Sequence, residues 1–233
     1  MTVRGILFDV GGPIDTEVMY ERLIDAHIRE ALADEGIAVD DTAYEAANAW
    51  AVGSFAPNAY AAIIWRLADG DRMAAERAFA RVTARGPERQ TARGGIELRE
   101  GIAGLVERLH SVGLVLGLAA NQPATAVADL DRIGIGKFFA HREVTGMHGL
   151  RKPDTRLFLR ACDDLGFDPS ECLMVGDRID NDIAPARLLG MRTVLFRTGR
   201  HAAQQPRSWD ELPDAEVDSV DGLEAAIGRM VAK

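Results

Sequence analysis

The chain begins with a short apolar run, residues 3–8, that ends at Asp9 and opens into a Gly11-Gly12-Pro13 turn. A brief run of branched and aromatic side chains with a glycine stop is typical of a strand buried on both faces of a sheet. A carboxylate at the carboxyl end of such a strand lies where open α/β sheets place their active sites. Asp9 is therefore the first candidate functional residue.

Beyond residue 97, apolar strand-like runs alternate with segments of helical periodicity. Further strands are predicted at residues 114–119, 143–145, 172–175 and 191–196, and a loop and closing helix at the end. Strands that alternate with helices predict an α/β fold with a doubly wound, Rossmann-like parallel sheet.

The segment from residue 17 to residue 92 has helical spacing throughout, and no strand is predicted within it. Four helices are expected, with Arg85-Gly86-Pro87 and Gly94-Gly95 interpreted as the linker that returns to the sheet. The predicted organisation is an α/β core domain, residues 1–15 and 98–233, and an all-helical inserted domain, residues 16–97.

Composition excludes several classes of function. The 233-residue chain has a net charge of −9, which argues against binding nucleic acid because that function needs a basic face. Cys162 and Cys172 show no metal-binding spacing, so free thiols in a reducing compartment are expected. The longest apolar stretch, residues 112–120, is far shorter than the ~20 residues that span a bilayer. We expect a cytoplasmic protein without a membrane partner.

Two further motifs carry chemistry. Arg151-Lys152-Pro153-Asp154 precedes a predicted helix, and the predicted strand at 172–175 runs into a turn that contains Asp177, Asp180 and Asp182. A carboxylate nucleophile, a lone lysine and an acidic turn are what phosphoryl transfer through an aspartyl phosphate requires. Hard oxygen ligands at such a turn suit Mg²⁺.

With these motifs in this order, the chain resembles the haloacid dehalogenase superfamily, whose members are mostly Mg-dependent phosphatases. The resemblance covers nearly the whole chain outside residues 16–97, and it implies a small helical cap inserted after the first strand. It also implies that Asp9 is the nucleophile, while Lys152 neutralises the aspartyl phosphate and holds the transferring group.

The resemblance further implies a metal site and a phosphate site. The metal ligands would be Asp9, the backbone carbonyl of Gly11 and Asp177, with Asp182 as an outer partner and Asp180 able to substitute for either aspartate of the turn. The phosphate site, besides Lys152, would include residues at the first two strand ends: Gly12, Ala120 and Asn121.

Two positions depart from the family pattern. Gly11 stands where the family usually has a second Asp that protonates the leaving alcohol and activates water, although some phosphatases of the superfamily also have Asp-x-Gly. Ala120 stands where a Ser or Thr hydroxyl normally binds a phosphate oxygen, and the amide of Asn121 is a candidate replacement. These changes predict an intact metal site with an impaired proton shuttle and one lost phosphate donor.

In the helical insertion, the candidates for substrate contact are Trp50, Phe55, Asn58 and Tyr60, with Trp65 and Arg66 as further candidates. Aromatic residues at helical spacing are equally typical of a helical core.

The leading hypothesis is a Mg-dependent phosphatase acting on a small phosphorylated metabolite, with the cap closing over the site. A second is a degenerate relative that binds a phosphorylated ligand or a protein partner without turnover. A third is a haloacid dehalogenase, which uses the same nucleophile and lysine without a metal. A nucleotide-binding dehydrogenase is set aside, because the turn after the first strand lacks Gly-x-Gly-x-x-Gly.

Overall fold

The computed structural model describes residues 2–231, and the chain divides into two compact units. The first unit combines the chain up to Glu17 with the chain from Ile96 onward, and the second is Val18–Gly95. These borders lie close to the predicted ones after residue 15 and before residue 98.

The first unit is built on a six-stranded sheet in the order β3-β2-β1-β4-β5-β6, with every pair of neighbours parallel. The strands are β1 Gly5–Phe8, β2 Val115–Leu118, β3 Phe139–His141, β4 Cys172–Gly176, β5 Arg192–Phe196 and β6 Ala215–Val217. The predicted doubly wound α/β fold is confirmed.

Two strands differ from the prediction. The third strand is not at residues 143–145 but at Phe139–His141, where pairing of Phe139 with Leu116 of β2 sets its position. The sixth strand was not predicted, since its three residues, Ala-Glu-Val, carry almost no apolar signal.

Side chains on β1 alternate between two apolar clusters, one on each face of the sheet. Ile6 and Phe8 belong to the larger cluster, and Leu7 belongs to the cluster on the other side. All four residues of β1 are buried, as expected for a central parallel strand covered on both faces.

Six helices of the first unit flank or connect these strands. They are α6 Ile102–Ser111, α7 Thr125–Ile133, α8 Thr145–His148, α9 Thr155–Leu165, α10 Ala184–Leu188 and α11 Val220–Val231. In α9, Asp154 caps the first turn by accepting a hydrogen bond from the backbone N–H of Arg156.

The second unit contains five helices around an apolar core of its own. They are α1 Val18–Ala33, α2 Asp41–Gly53, α3 Ala59–Leu67, α4 Arg72–Ala84 and α5 Gly86–Arg93. The fifth replaces part of the predicted linker, because Pro87 occupies the first turn of the helix, where its missing N–H costs no hydrogen bond. Within residues 2–231, no helix has the combined length and apolar character needed to cross a bilayer.

Candidate active site

The sheet topology places the predicted motifs side by side. The strand order changes direction between β1 and β4, and ligands of doubly wound proteins bind outside the carboxyl ends of the strands at such a point. Asp9 follows β1 and Asp177 follows β4, while Ala120 and Asn121 stand just beyond β2 on the other side of β1. The residues predicted from separate parts of the sequence therefore meet at one edge of the sheet.

The turn after β1 holds Asp9 by backbone hydrogen bonds. The backbone N–H of Asp9 donates to Val175 of β4 at 2.8 Å, and its Oδ1 accepts from the N–H of Val10 at 2.7 Å. Gly12 has a φ of +80°, and a Cβ on it would lie 2.7 Å from the side chain of Asp177. Glycine at this position therefore allows the turn to approach Asp177 closely.

Arg99 supports the same turn from outside. Its guanidinium donates two hydrogen bonds to the carbonyl of Gly12, at 2.9 and 2.7 Å, and one to Thr198 at 2.7 Å. It also stacks 4.8 Å over the ring of Phe196. Nothing in the sequence distinguished this arginine from the many others.

Lys152 is buried between two carboxylates. Its Nζ lies 2.8 Å from Oδ2 of Asp9 and 2.6 Å from Oδ1 of Asp182, and only 4% of the residue is exposed. Burial alone would lower the pKa of Lys152, but the charges of Asp182 and Asp9 outweigh it and the pKa is raised. Lys152 therefore remains an ammonium and fixes the geometry of both acids.

The ion pair only partly offsets the burial of Asp9. Removal from water raises the pKa of Asp9 to about 6, with the charge of Lys152 opposing the rise and that of Asp182 adding to it. Burial likewise raises the pKa of Asp177 well above its ordinary value, with further contributions from Asp182 and Asp9. The site concentrates more negative charge than one ammonium balances.

This excess of negative charge fits a divalent cation. Asp9, Asp177 and Asp182 each offer a carboxylate oxygen, and the three oxygens lie within 4.8 Å of one another. Carboxylate oxygens at this spacing suit Mg²⁺, which takes few protein ligands and keeps water and phosphate in its shell. The donor set therefore fits the metal that the sequence predicted.

Asp182 is placed by a single π-helical turn, Ile179–Ile183, that leads into α10. Its Oδ2 accepts from the backbone N–H of Arg178 at 3.0 Å. Gly176 makes room for it, since a Cβ there would lie 2.3 Å from the Asp182 carboxyl carbon. Asp180 of the same turn is paired with Arg178 at 2.5 Å instead of pointing to the acidic cluster.

The end of β2 supports Lys152. The side-chain amide of Asn121 accepts from the N–H of Lys152 at 2.8 Å and donates to its carbonyl at 3.1 Å. Thr145 donates to the same Asn121 oxygen at 3.1 Å. The Asn121 amide, which the sequence offered as a replacement phosphate donor, therefore serves to hold the backbone of Lys152. Ala120 is fully buried.

One acidic residue near the site was not among the predicted ones. A Cβ on Gly11 would lie 2.8 Å from Oε2 of Glu17, so the Glu17 carboxylate stands where a side chain on Gly11 would extend. The amide of Gln122 donates to Oε1 of Glu17 at 3.3 Å. The signal available in the sequence was an acidic residue shortly after a glycine turn, which by itself has no specificity.

In the helical unit, the four predicted contact residues have different environments. Asn58 caps α3 by accepting from the N–H of Ala61 at 3.1 Å, and Phe55 is buried with a φ of +56°. Tyr60 packs against the helical core, whereas Trp50 is 41% exposed. Substrate contact by these residues stays a prediction.

Comparison with known proteins agrees with the fold and the motifs. A family model described as haloacid dehalogenase-like hydrolase matches residues 3–190. The chain belongs to this family. Among solved structures, a predicted phosphoglycolate phosphatase from Haemophilus somnus superposes on this hydrolase with a TM-score of 0.70 at 20% identity, covering 97% of this chain and 99% of that one.

Named relatives of the hydrolase match it over shorter stretches. A glyceraldehyde 3-phosphate phosphatase from Methanopyrus kandleri is 37% identical over 112 residues, 48% of each chain. An N-acetylmuramic acid 6-phosphate phosphatase from Pseudomonas aeruginosa is 33% identical over 136 residues, 55% of this chain and 58% of that protein. The hydrolase thus spans about half the length of the curated relatives it matches.

Proposed function

We propose that this hydrolase is a Mg²⁺-dependent phosphatase that cleaves a small phosphorylated metabolite through an aspartyl phosphate on Asp9. The observation that carries the proposal is the buried Lys152 ammonium between Asp9 and Asp182, with Asp177 completing a set of three close carboxylates. A nucleophile, a cation and a metal-binding set thereby share one crevice at the carboxyl ends of β1 and β4.

Asp9 supplies the nucleophile. One of its carboxylate oxygens attacks phosphorus, the bond from phosphorus to the alcohol oxygen breaks, and the phosphoryl group becomes bonded to Asp9. The hydrogen bond from Val10 and the ion pair with Lys152 hold this carboxylate in place before the substrate arrives.

Lys152 stabilises the transferring group. Charge spreads over the phosphoryl oxygens as the bond to the leaving group breaks, and a fixed ammonium beside Asp9 meets that charge without reorganisation. Asn121 keeps the Lys152 backbone in place, so the position of the ammonium depends on the end of β2 as well.

Asp9, Asp177 and the backbone carbonyl of Gly11 would hold Mg²⁺, with Asp182 beside them. When bound, the ion supplies positive charge that draws electron density from the phosphoryl oxygens. A haloacid dehalogenase, which works without a metal, has no use for three clustered carboxylates, and this weighs against that alternative.

The proposed substrate class is a small phosphate ester. The two relatives named above are phosphatases of a phosphorylated triose and of a phosphorylated amino sugar. The net charge of −9 adds to the case against a nucleic-acid substrate.

The competing proposal is a binder without turnover. Two observations favour it: Gly11 lacks a proton-transferring side chain, and Ala120 presents only a methyl group at the end of β2. The intact nucleophile, lysine and acidic cluster weigh against it, because binding alone requires no nucleophile.

The test is phosphate release from aryl, acyl and sugar phosphates, with and without Mg²⁺, by the wild type and Asp9→Asn. Asp218→Asn serves as the matched control, since Asp218 is exposed and lies outside the site. We expect Mg²⁺-dependent turnover that Asp9→Asn abolishes and Asp218→Asn leaves unchanged. Absence of turnover on every substrate, with retained Mg²⁺ binding, would establish the binder instead.

A further inference from the structure

The carboxylate of Glu17 reaches back over the loop that carries the nucleophile. Its Oε2 lies 2.8 Å, and its Oε1 3.1 Å, from the point where a Cβ on Gly11 would stand. Gly11 is two residues beyond Asp9 in the same turn. The space left by a missing side chain on one side of the nucleophile is therefore filled by a carboxylate from another position in the sequence.

The local backbone is arranged to produce this approach. Gly11 and Asp15 form an isolated parallel bridge, and Gly12 donates to the carbonyl of Asp15 at 2.8 Å, so the chain doubles back on itself. The buried side chain of Asp15 then accepts from the N–H of Glu17 at 3.1 Å.

Glu17 has a φ of +57°, a conformation that a residue other than glycine adopts at a cost of order 1–3 kcal/mol. Such strain concentrates at functional sites, where the surrounding structure enforces it.

The other carboxylates of the crevice already have roles. Asp9 is the nucleophile, Asp182 is paired with Lys152 and with the N–H of Arg178, and Asp177 faces the acidic cluster. The negative charge of Glu17 is also among the causes that raise the pKa of Asp177, which places Glu17 within electrostatic reach of the site. The amide of Gln122 orients Glu17 through Oε1.

Hydrolysis of a phosphate ester through Asp9 involves two proton transfers. The alkoxide that leaves in the first step must receive a proton, and the water that attacks the aspartyl phosphate in the second step must lose one. Gly11 offers no group for either transfer.

We propose that Glu17 is the general acid and general base of this hydrolase. In the first step, its carboxylic acid gives a proton to the alcohol oxygen as the bond from phosphorus to that oxygen breaks. In the second step, its carboxylate takes a proton from water as the water oxygen bonds to phosphorus, and the bond from phosphorus to Asp9 breaks to release the Asp9 carboxylate. Glu17 ends the cycle protonated, as it began. This assignment rests on the phosphatase function proposed above.

The test compares the wild type, Glu17→Gln and Glu100→Gln on two substrates of different leaving group. Glu100 is an exposed glutamate outside the site and serves as the matched control. Glu17→Gln keeps size and hydrogen bonding but cannot transfer a proton, so kcat/KM for an alkyl phosphate should fall by about 10²–10⁴-fold. For p-nitrophenyl phosphate, whose leaving group needs no proton, the first step should change little.

The second step gives an independent readout. Glu17→Gln should release a burst of p-nitrophenol stoichiometric with the protein, and intact-protein mass spectrometry should show one phosphoryl group retained on it. The wild type and Glu100→Gln should show neither.

The double variant Glu17→Ala/Gly11→Asp tests for rescue, because loss of the Glu17 side chain clears the space that the introduced aspartate side chain would need. The double variant should recover alkyl phosphate turnover that Glu17→Ala alone lacks.

Each negative result has a separate meaning. If the wild type releases phosphate but Glu17→Gln behaves like Glu100→Gln on both substrates, the role of Glu17 is wrong and the phosphatase function stands. If Glu17→Gln lowers turnover equally for both leaving groups and weakens Mg²⁺ binding measured by calorimetry, Glu17 is a metal ligand and the proposal is overturned. If neither the wild type nor Glu17→Ala/Gly11→Asp releases phosphate from any substrate, the phosphatase function fails and the role of Glu17 falls with it.

Discussion

The Nζ of Lys152 lies 2.6 Å from Oδ1 of Asp182, closer than its 2.8 Å distance to Oδ2 of Asp9, the proposed nucleophile. The lysine therefore forms ion pairs with both the turn after β4 and the end of β1. Its own backbone is held by Asn121 beyond β2. Lys152 thus links the carboxyl ends of β1, β2 and β4. Its removal should lower both the stability of the fold and the proposed activity.

Replacement of Lys152 by Met should destabilise the protein strongly. Two buried carboxylates would lose their cation, and removal of one partner from a buried ion pair typically costs about 3–5 kcal/mol. The free energy of unfolding from urea titration at neutral pH, with a chelator present, measures the effect. Lys137→Met is the control because Lys137 is exposed. Equal stability of the two variants would contradict the structural importance of the pair.

Gly176→Ala should destabilise the protein by about 1–3 kcal/mol, the usual cost of overpacking a filled site. The new methyl group would lie 2.3 Å from the carboxyl carbon of Asp182, so that side chain must move. Gly228→Ala in α11 meets nothing within 4 Å and should instead stabilise by about 0.8–1.0 kcal/mol, because alanine is the better helix former. Urea unfolding of both variants tests the opposite signs, and a neutral Gly176→Ala would show that Asp182 has room to shift.

Ala120→Ser should improve the proposed phosphatase. A hydroxyl at the end of β2 would restore a phosphate donor, and one preorganised donor is worth about 10²–10³ in kcat. Ala119→Ser is the control, since Ala119 is equally buried but packs in the apolar cluster on the other face of the sheet. Steady-state kinetics and inhibition by inorganic phosphate give the readout. Equal kinetics for the wild type and Ala120→Ser would mean that position 120 does not contact the phosphate.

The carboxyl of Asp154 at the start of α9 should titrate at low pH. Its hydrogen bonds with the side chain and backbone of Arg156 lower the pKa from 3.8 to about 2. Because the folded pKa is lowered, the stabilisation is complete above pH 3.8 and is lost as the pH falls through 2. Carboxyl NMR titration should show this midpoint, and Arg156→Gln should move it up toward 3.8. Arg160→Gln on the same helix should leave it in place, and a shift in that variant would point to a general charge effect.

The sequence allowed prediction of those site residues that stand in contiguous motifs next to a strand. The candidates Asp9, Lys152, Asp177 and Asp182 were all proposed in this way, and the structure brings them together at one sheet edge. This prediction was possible because buried strands and glycine turns can be recognised from the local sequence, without knowledge of the tertiary structure.

The residues that were not predicted from the sequence lie outside the motifs, and only the folded backbone directs their side chains toward the site. Glu17 approaches Gly11 because of a bridged turn and a positive φ, and Arg99 approaches Gly12 from a segment that follows the whole helical insertion. Neither relation has a local pattern. Asn121 was a candidate for phosphate contact, but no local pattern indicated that its amide also holds the backbone of Lys152.

The helical insertion leaves and re-enters the core at neighbouring points of one backbone pairing. The N–H of Thr16 donates to the carbonyl of Glu97 at 2.9 Å, and Asp15 pairs with Leu98 in an antiparallel bridge. The whole insertion is therefore a loop that connects two hydrogen-bonded positions of the core. The entropic cost of closing such a loop grows only slowly with its length. Replacement of the segment between these two anchor points should therefore add little closure entropy to the cost of folding the core. Insertions of other lengths and sequences could therefore start and end at these two anchor points without any change in the sheet.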